Sequence, residues 1–402
     1  MFEPDIFEKE VIKESVFLDR NVVSPHYIPE TLPHREREIE KIMKILAPAL
    51  NQKRIHNLFI YGKTGTGKSS STKYVINKLL QVKQKYNSNV DCIYVNCRQL
   101  NTKYQIMLKC AEYCNPHEVV IGFPFSVLYD RVLKYISEKN TIFIIVLDEI
   151  DKVKNLDDLM YALTRANDEI TNGHIAIIGI TNNVTFKQEL DPRSKSALCE
   201  EEMVFPPYNA MQLQSILKQR TQLGFKPGTV EDSAINLASA LAAQEFGDAR
   251  YALKLLLKAG EIADEERSSK VTDKHVQLAR KGVEDEIVYE LIDSLPEHQK
   301  IVLYSIALLT GESGHFHRLD GVADDKVLFS GEVYEKYEHI SKKAGKEPRS
   351  ARWCREYINE LEMLGLITTT ISGKGVRGNT TLIRLAFPPE KIKRVIEKHF
   401  KE

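Results

Sequence analysis

The chain has 402 residues, 43% of them hydrophobic and 28% charged, with 56 Lys/Arg against 56 Asp/Glu. That length suits two or three soluble globular domains, and no apolar run reaches the ~18 residues of a membrane span. The zero net charge hides an asymmetry: Ser341 to Glu402 carries fourteen Lys/Arg against seven Asp/Glu, a net +7. A basic module on an otherwise acidic chain is a polyanion-binding pattern; the bland alternative is a solvated charged face.

Residues 1–20 form a charged lead-in with no apolar h-region, so no secretory leader is expected. Ile39, Ile42, Ile45 and Leu46 then recur at helical spacing. HNLFIYG reads as a buried strand and SSSTKYVINKLLQVKQKY as an amphipathic helix. VDCIYVNC, TIFIIVLDEID and HIAIIGITN are three more buried strands. Apolar strands alternating with helices imply an α/β fold, a parallel sheet covered on both faces. From Ala210 to about Gly282 the periodicity is helical, with no convincing strand. The six cysteines include no CxxC pair, and Cys92/Cys97 and Cys110/Cys114 have the wrong spacing for a zinc ribbon. Reduced thiols in a cytoplasmic protein are expected.

GKTGTGKS, Gly62 to Ser69, fits G-x-x-x-x-G-K-[ST] between a strand and a helix, the context that motif requires. Glycines let backbone N–H groups curl around phosphate oxygens, and the helix N-terminus adds partial positive charge. Gly62, Gly65, Thr66, Gly67, Lys68, Ser69 and Ser70 are therefore the expected nucleotide contacts. Lys68 would reach the β- and γ-phosphates and the Ser69 hydroxyl would ligate magnesium. Asp148, 80 residues beyond Lys68, ends a hydrophobic strand and suits the same magnesium; Glu149 suits the polarisation of an attacking water. Asn182, after the next strand, is either a turn residue or a contact to the γ-phosphate.

In this order, HYIPETLPHREREIEKI, IYGKTGTGKSS, VNCRQLNTKYQI, VLDEID, IGITNN, ELDPRSKSAL, VFPPYNAMQLQSILKQR and GDARYALKLLLKAGEIA run along the chain. The set is similar to the AAA+ division of ATPases. Within it, the chain closely resembles the archaeal replication initiators of the cell-division-control 6 / origin recognition complex family, from about Val22 to Phe400. The resemblance implies an AAA+ core over 21–207, a helical lid over 208–283 and a winged helix over 284–402. It implies ATP/ADP and magnesium as cofactors and slow, switch-like hydrolysis. It also implies sensor roles for Asn182 and Arg250, an arginine finger at Arg193, and lid contacts from Tyr208 and Arg220. The segment from Tyr27 to Arg35 would pass the adenine. Ser194 departs from the apolar residue often found after the finger arginine. The insert from Leu100 to Val132, with its tip at Gly122–Phe125, would touch duplex. Origin DNA, other initiator protomers and a minichromosome-maintenance-type helicase are the implied partners, with no membrane.

In RSARWCREYINELEMLGLI, Cys354, Ile358, Leu361 and Leu364 make a candidate buried stripe, with Trp353 expected in the core. Ser350 is placed to cap this helix and Gly365 to end it. Arg352, Arg355 and Asn359 share another face, suited to base edges in a major groove, and Arg349 precedes them. ITTTI and TLIRLAF read as strands around GKGVRG, Gly373 to Gly378. Those letters match G-x-G-x-x-G, but no helix follows, so Lys374 and Arg377 are expected on a hairpin tip facing DNA. HFH at His315–His317 lacks the partners of a metal site. Two other readings remain: a branch-migration type AAA+ motor, and an origin or transcription regulator paralogue. An intact Lys68, Asp148, Glu149 and Arg250 set argues against a vestigial ATP site.

Overall fold

The computed structural model describes residues 15–116, 122–183, 186, 190–245, 247–293, 295–312, 327–371 and 381–399. These fall into two compact units, residues 1–280 and 281–402.

The first unit carries α1 (Arg20–Val23), α2 (Glu36–Leu46), β1 (Leu58–Tyr61), α3 (Lys68–Tyr86) and β2 (Val90–Asn96). There follow α4 (Lys103–Cys114), α5 (Phe125–Lys139), β3 (Ile142–Asp148), α6 (Leu156–Glu169) and β4 (His174–Thr181). Then come α7 (Pro192–Leu198), β5 (Glu201–Val204), α8 (Ala210–Gly224), α9 (Asp232–Glu245) and α10 (Ala249–Glu265). The strands form a parallel sheet in the order β2-β3-β4-β1-β5. Side chains alternate across it. Ile142, Ile144 and Val146 join the core beneath α2 and α3, whereas Phe143, Ile145 and Leu147 join the core beneath α4, α5 and α6. Both faces are thus covered, which explains the uninterrupted apolar strands.

β5 is a finding beyond the four strands read from sequence. It is a four-residue edge strand containing Glu201 and Glu202, so it carries no apolar run. Because β1, β4 and β3 are adjacent, the loops after all three open along one carboxyl edge of the sheet. The lid helices follow: Asn209 starts α8 with a reciprocal capping box with Gln212, and Asp248 caps α10. The segment preceding α2 crosses the lid. Phe17 packs on Phe225 at 4.6 Å, and Asp264 accepts from the Ser15 hydroxyl at 2.6 Å and the Val16 N–H at 2.7 Å.

α11 (Asp273–Asp293) leads into the second unit, with α12 (Glu297–Glu312), β6 (Leu328–Phe329), α13 (Ser330–Lys343), α14 (Ala351–Met363), β7 (Ile367–Ile371), β8 (Thr381–Leu385) and α15 (Pro389–His399). The three strands are antiparallel in the order β6-β8-β7, with Thr369 opposite Ile383. Both strands expected around the glycine-rich tip are present. β6 adds a two-residue strand too short to leave a periodic signal. This helix-and-hairpin arrangement is a winged helix. Among the described residues no helix is long and apolar enough to cross a membrane, and all six cysteines are free.

Candidate nucleotide site and nucleic-acid face

After β1 the chain turns through three glycines with positive φ: Gly62 (+157°), Gly65 (+69°) and Gly67 (+88°). All three are also contact points, and a Cβ on Gly62 would lie 2.4 Å from the Phe205 carbonyl oxygen. A Cβ on Gly65 would lie 1.6 Å from an Asp248 carboxylate oxygen, and one on Gly67 would lie 2.8 Å from the Tyr208 hydroxyl. The turn delivers the chain into α3, a nineteen-residue helix whose first N–H groups have no intrahelical partner. Lys68 opens that helix. Its buried ammonium donates to the carbonyls of Gly62 (2.8 Å) and Lys63 (2.7 Å). Burial, reinforced by the Arg250 charge, lowers its pKa to about 8, against the pull of Asp148 and Asp248.

Asp148 ends β3. One carboxylate oxygen accepts the Tyr94 hydroxyl and the other accepts the Glu149 N–H at 3.1 Å. Glu149 takes a left-handed backbone (φ +56°) that turns the chain out of the sheet. Burial holds its carboxyl above the usual range, with Arg98 opposing and Asp148 and Asp151 adding to the rise. Asn182 sits at the rim immediately after β4, on the same edge.

The lid supplies the other wall. Asp248 accepts the Arg250 N–H (2.7 Å) and the Tyr251 N–H (3.3 Å) at the start of α10, which aims Arg250 at the cleft with half its side chain exposed. Arg220 is buried and lines the same cleft as the phosphate loop. It donates to the Val22 carbonyl (3.1 Å) and the Tyr27 carbonyl (3.0 Å) and lies over the Tyr27 ring at 5.0 Å. It therefore holds the wall made of Pro25, Tyr27 and Pro29 in place. Tyr208 lines the cleft between that wall and the loop.

The cleft so formed measures about 850 Å³ including its open mouth. It brings together Gly65 to Ser70, Asp148, Glu149, Asn182, Tyr208, Arg220 and Arg250. Within it the donor chemistry fits a magnesium nucleotide. Positive-φ glycines and a helix N-terminus suit phosphates, and Ser69 and Asp148 supply the hard oxygens magnesium takes. Two buried polar atoms on the opposite wall, Gln219 Oε1 and Arg220 Nε, have no hydrogen-bond partner among the described residues. Arg193 does not line this cleft. It is exposed on the first turn of α7, where Asp191 caps the helix through the Arg193 and Ser194 N–H groups, both at 2.8 Å. Ser194 is buried, so the departure from an apolar residue falls on a packed position.

Sequence reasoning placed Arg35 only at the end of the segment expected to pass the adenine, and it missed the contacts that Arg35, Asp248 and Tyr94 make. Arg35 is buried against the phosphate loop, Asp248 packs on Gly65, and Tyr94 bonds Asp148. Only Asp248 carried a signal, as the acidic residue just before a helix start.

In the second unit α14 presents Arg352, Arg355 and Asn359 to solvent, with Arg349 exposed just before it. Cys354, Ile358 and Leu361 are buried as expected. Leu364 is not: it lies past the helix end and is 39% exposed. Gly365 follows with φ +73° and ends the helix. Ser350 occupies the cap position without a side-chain cap hydrogen bond. Trp353 is the larger correction. It is 51% exposed, because the Cys354–Ile358–Leu361 stripe leaves its neighbour at the margin of the packed face. Its ring rests on Tyr357 at 6.2 Å, and Tyr357 stacks on His298 at 6.3 Å. Lys374 and Arg377, and the His315–His317 pair, lie outside the described residues. In the insert, Phe123 is exposed beneath the Arg131 guanidinium at 4.6 Å.

A phosphate loop after β1, an acidic pair after β3 and a three-helix lid define an AAA+ type nucleotide-binding domain, here followed in the chain by a winged helix. Family models match in the same order: an AAA domain over residues 53–183, a Cdc6 AAA+ ATPase-type lid domain over 214–281, and a CDC6 C-terminal winged helix domain over 290–395. An ORC1-type DNA replication protein of Thermococcus onnurineus is 42% identical over 396 residues, spanning 97% of this chain and 93% of its own. ORC1-type DNA replication protein 1 of Archaeoglobus fulgidus is 38% identical over 99% of this chain and 94% of its own. The structure of Aeropyrum pernix ORC1 in complex with DNA superposes with a TM-score of 0.81 at 36% identity, covering 96% of this chain and 98% of that one. The chain belongs to the ORC1-type family of DNA replication proteins.

Proposed function

We propose that this protein is an ATP-dependent replication initiator that binds duplex origin DNA and helps to recruit a minichromosome-maintenance-type helicase. One observation carries the reading. A complete phosphate-loop cleft and a winged helix with an exposed Arg352–Arg355–Asn359 face occur in a single chain. The Aeropyrum pernix relative in complex with DNA supports the duplex as ligand.

When bound, the magnesium nucleotide supplies an electrophilic γ-phosphoryl group. The loop N–H groups and Lys68 would hold its phosphates, and Ser69 and Asp148 would hold the metal. Glu149, made more basic by its burial, orients a water and takes its proton. Asn182 and Arg250 would meet the γ-phosphate, and Arg250 would report its presence to the lid. Arg193 serves a neighbouring protomer's nucleotide. Arg349, Arg352, Arg355 and Asn359 face the major groove, while Lys374 and Arg377 meet the backbone or minor groove. Hydrolysis is slow and resets the switch. The protein works in the cytoplasm, on the nucleoid.

Footprinting on host chromosomal DNA tests this. Discrete protected sites that change with ATP are expected, and Lys68→Ala should keep some DNA affinity while losing the ATP effect. A DNA-stimulated turnover of many per second would replace the initiator with a motor. Protection confined to promoters would replace it with a regulator.

A further inference from the structure

We propose that Arg35 is a positioning residue for the phosphate loop, tying the loop to the joint where the sheet passes into the lid. The proposal rests on the nucleotide-binding reading of the cleft.

Arg35 is 2% exposed and precedes α2. Its Nε donates to the Thr66 carbonyl at 2.8 Å and to the Tyr208 hydroxyl at 2.9 Å. Nη2 donates to the Pro206 carbonyl at 2.6 Å, and Nη1 pairs with Glu38 at 3.3 Å. The guanidinium lies over the Tyr208 ring at 3.9 Å and the Phe205 ring at 5.3 Å. One planar group therefore joins the start of α2, the phosphate loop, the chain leaving β5 and the first residue of the lid. Only a rigid fork of donors makes all of these contacts at once; an ammonium serves as a point donor.

The placement within the loop matters. A phosphate loop works by pointing N–H groups at one spot, which sends its carbonyls the other way. Thr66 lies between two positive-φ glycines that have no side chain to brace them. Its carbonyl is held by Arg35, and the Gly65 carbonyl is held from the lid by the Ala249 N–H at 3.1 Å. Without the first tether the loop must order itself on binding, and that ordering is subtracted from affinity. The Tyr208 hydroxyl sits against Gly67, so a shift at the lid joint reaches the loop by contact as well as through Arg35. Nucleotide affinity thereby depends on the set of the lid.

The test titrates a fluorescent ATP analogue into the full chain and measures melting without nucleotide in parallel. Arg35→Met should weaken binding at least tenfold, about 1.4 kcal/mol, and Arg35→Lys should weaken it less. Tyr208→Phe should weaken binding several-fold in the parent and add nothing on top of Arg35→Met, because the two act as one unit. A lowered melting midpoint with parental affinity would make Arg35 merely structural and overturn the proposal. So would strict additivity of the two substitutions. If Arg35→Met does not fold, the same cycle is run with Arg35→Lys and decides in the same way. A parent chain that fails to bind the analogue overturns the nucleotide reading itself, whereas Lys68→Ala losing binding beside an unaffected Arg35→Met overturns only the present inference.

Discussion

Gly65→Ala offers a severe test of the way the lid is seated. The substitution places an L-residue at φ +69°, which costs about 1–2 kcal/mol. Its Cβ would lie 1.6 Å from the Asp248 carboxylate, so Asp248 must move. That carboxylate caps α10, and losing a cap costs about 1 kcal/mol. The displaced loop also strains the hydrogen bond from the Ala249 N–H to the Gly65 carbonyl, roughly another 1 kcal/mol. The sum is about 3–4 kcal/mol, or on the order of 6–15 °C in the melting midpoint of the first unit. Calorimetry on the full chain measures it. The double variant with Asp248→Ala sharpens the result: both single substitutions lose the same cap, so their effects should add to less than their sum. A Gly65→Ala protein melting within 2 °C of the parent, or full additivity with Asp248→Ala, would refute the contact and the seating of the lid built on it.

Other outcomes follow from the same cleft and from the recognition helix. Glu149→Gln should bind ATP and retain it unhydrolysed in single-turnover assays; parental hydrolysis would remove Glu149 from the role of base. Lys68 titrates at about 8, below its ordinary value, so its buried charge costs stability below that pH and the cost is relieved as pH rises toward 10.5. A bound phosphate needs the cation, so nucleotide binding at pH 8 should take up about half a proton. Calorimetric titration in two buffers of different ionisation enthalpy measures this uptake, and heats independent of buffer would count against it. Trp353 is the sole tryptophan and is half exposed on α14, so saturating duplex should quench or shift the intrinsic emission; unchanged emission would take that face off the DNA. Arg352→Ala should weaken duplex binding about 5- to 150-fold, the roughly 1–3 kcal/mol of a good base contact, in a fluorescence-anisotropy titration.

The phosphate loop was legible because its chemistry is local: spacing, glycines and the strand-to-helix context lie within a dozen residues. The four interior strands were legible for a related reason, since burial on both faces writes an unbroken apolar run. β5 and β6 were not, being short and lying where charge or brevity removes the pattern. Trp353 shows the limit of composition. A large aromatic suggests a core, yet helical phase places this one beside the buried stripe and not within it. Leu364 continued the stripe by spacing alone, but the helix had already ended. Arg35 and Tyr94 were the hardest to anticipate, because their partners, Thr66, Tyr208 and Asp148, lie 31, 173 and 54 residues away. Long-range hydrogen bonds leave no periodic trace.

The stretch from Ser15 to Val23 has a consequence for biosynthesis. Its acceptor, Asp264, lies 249 residues further along the chain. At roughly 5–20 residues per second, a ribosome takes on the order of 12–50 s to supply that partner. For most of that interval Phe17, Val22 and Val23 wait for Phe225, and for nearly all of it for the helix that carries Gly260. The sheet can assemble first, and this early stretch is stitched down last, so the nascent chain presents a greasy, unpaired leader for most of its own synthesis. Chaperone occupancy of nascent chains should therefore be highest before residue 264 clears the exit tunnel and should fall sharply afterwards.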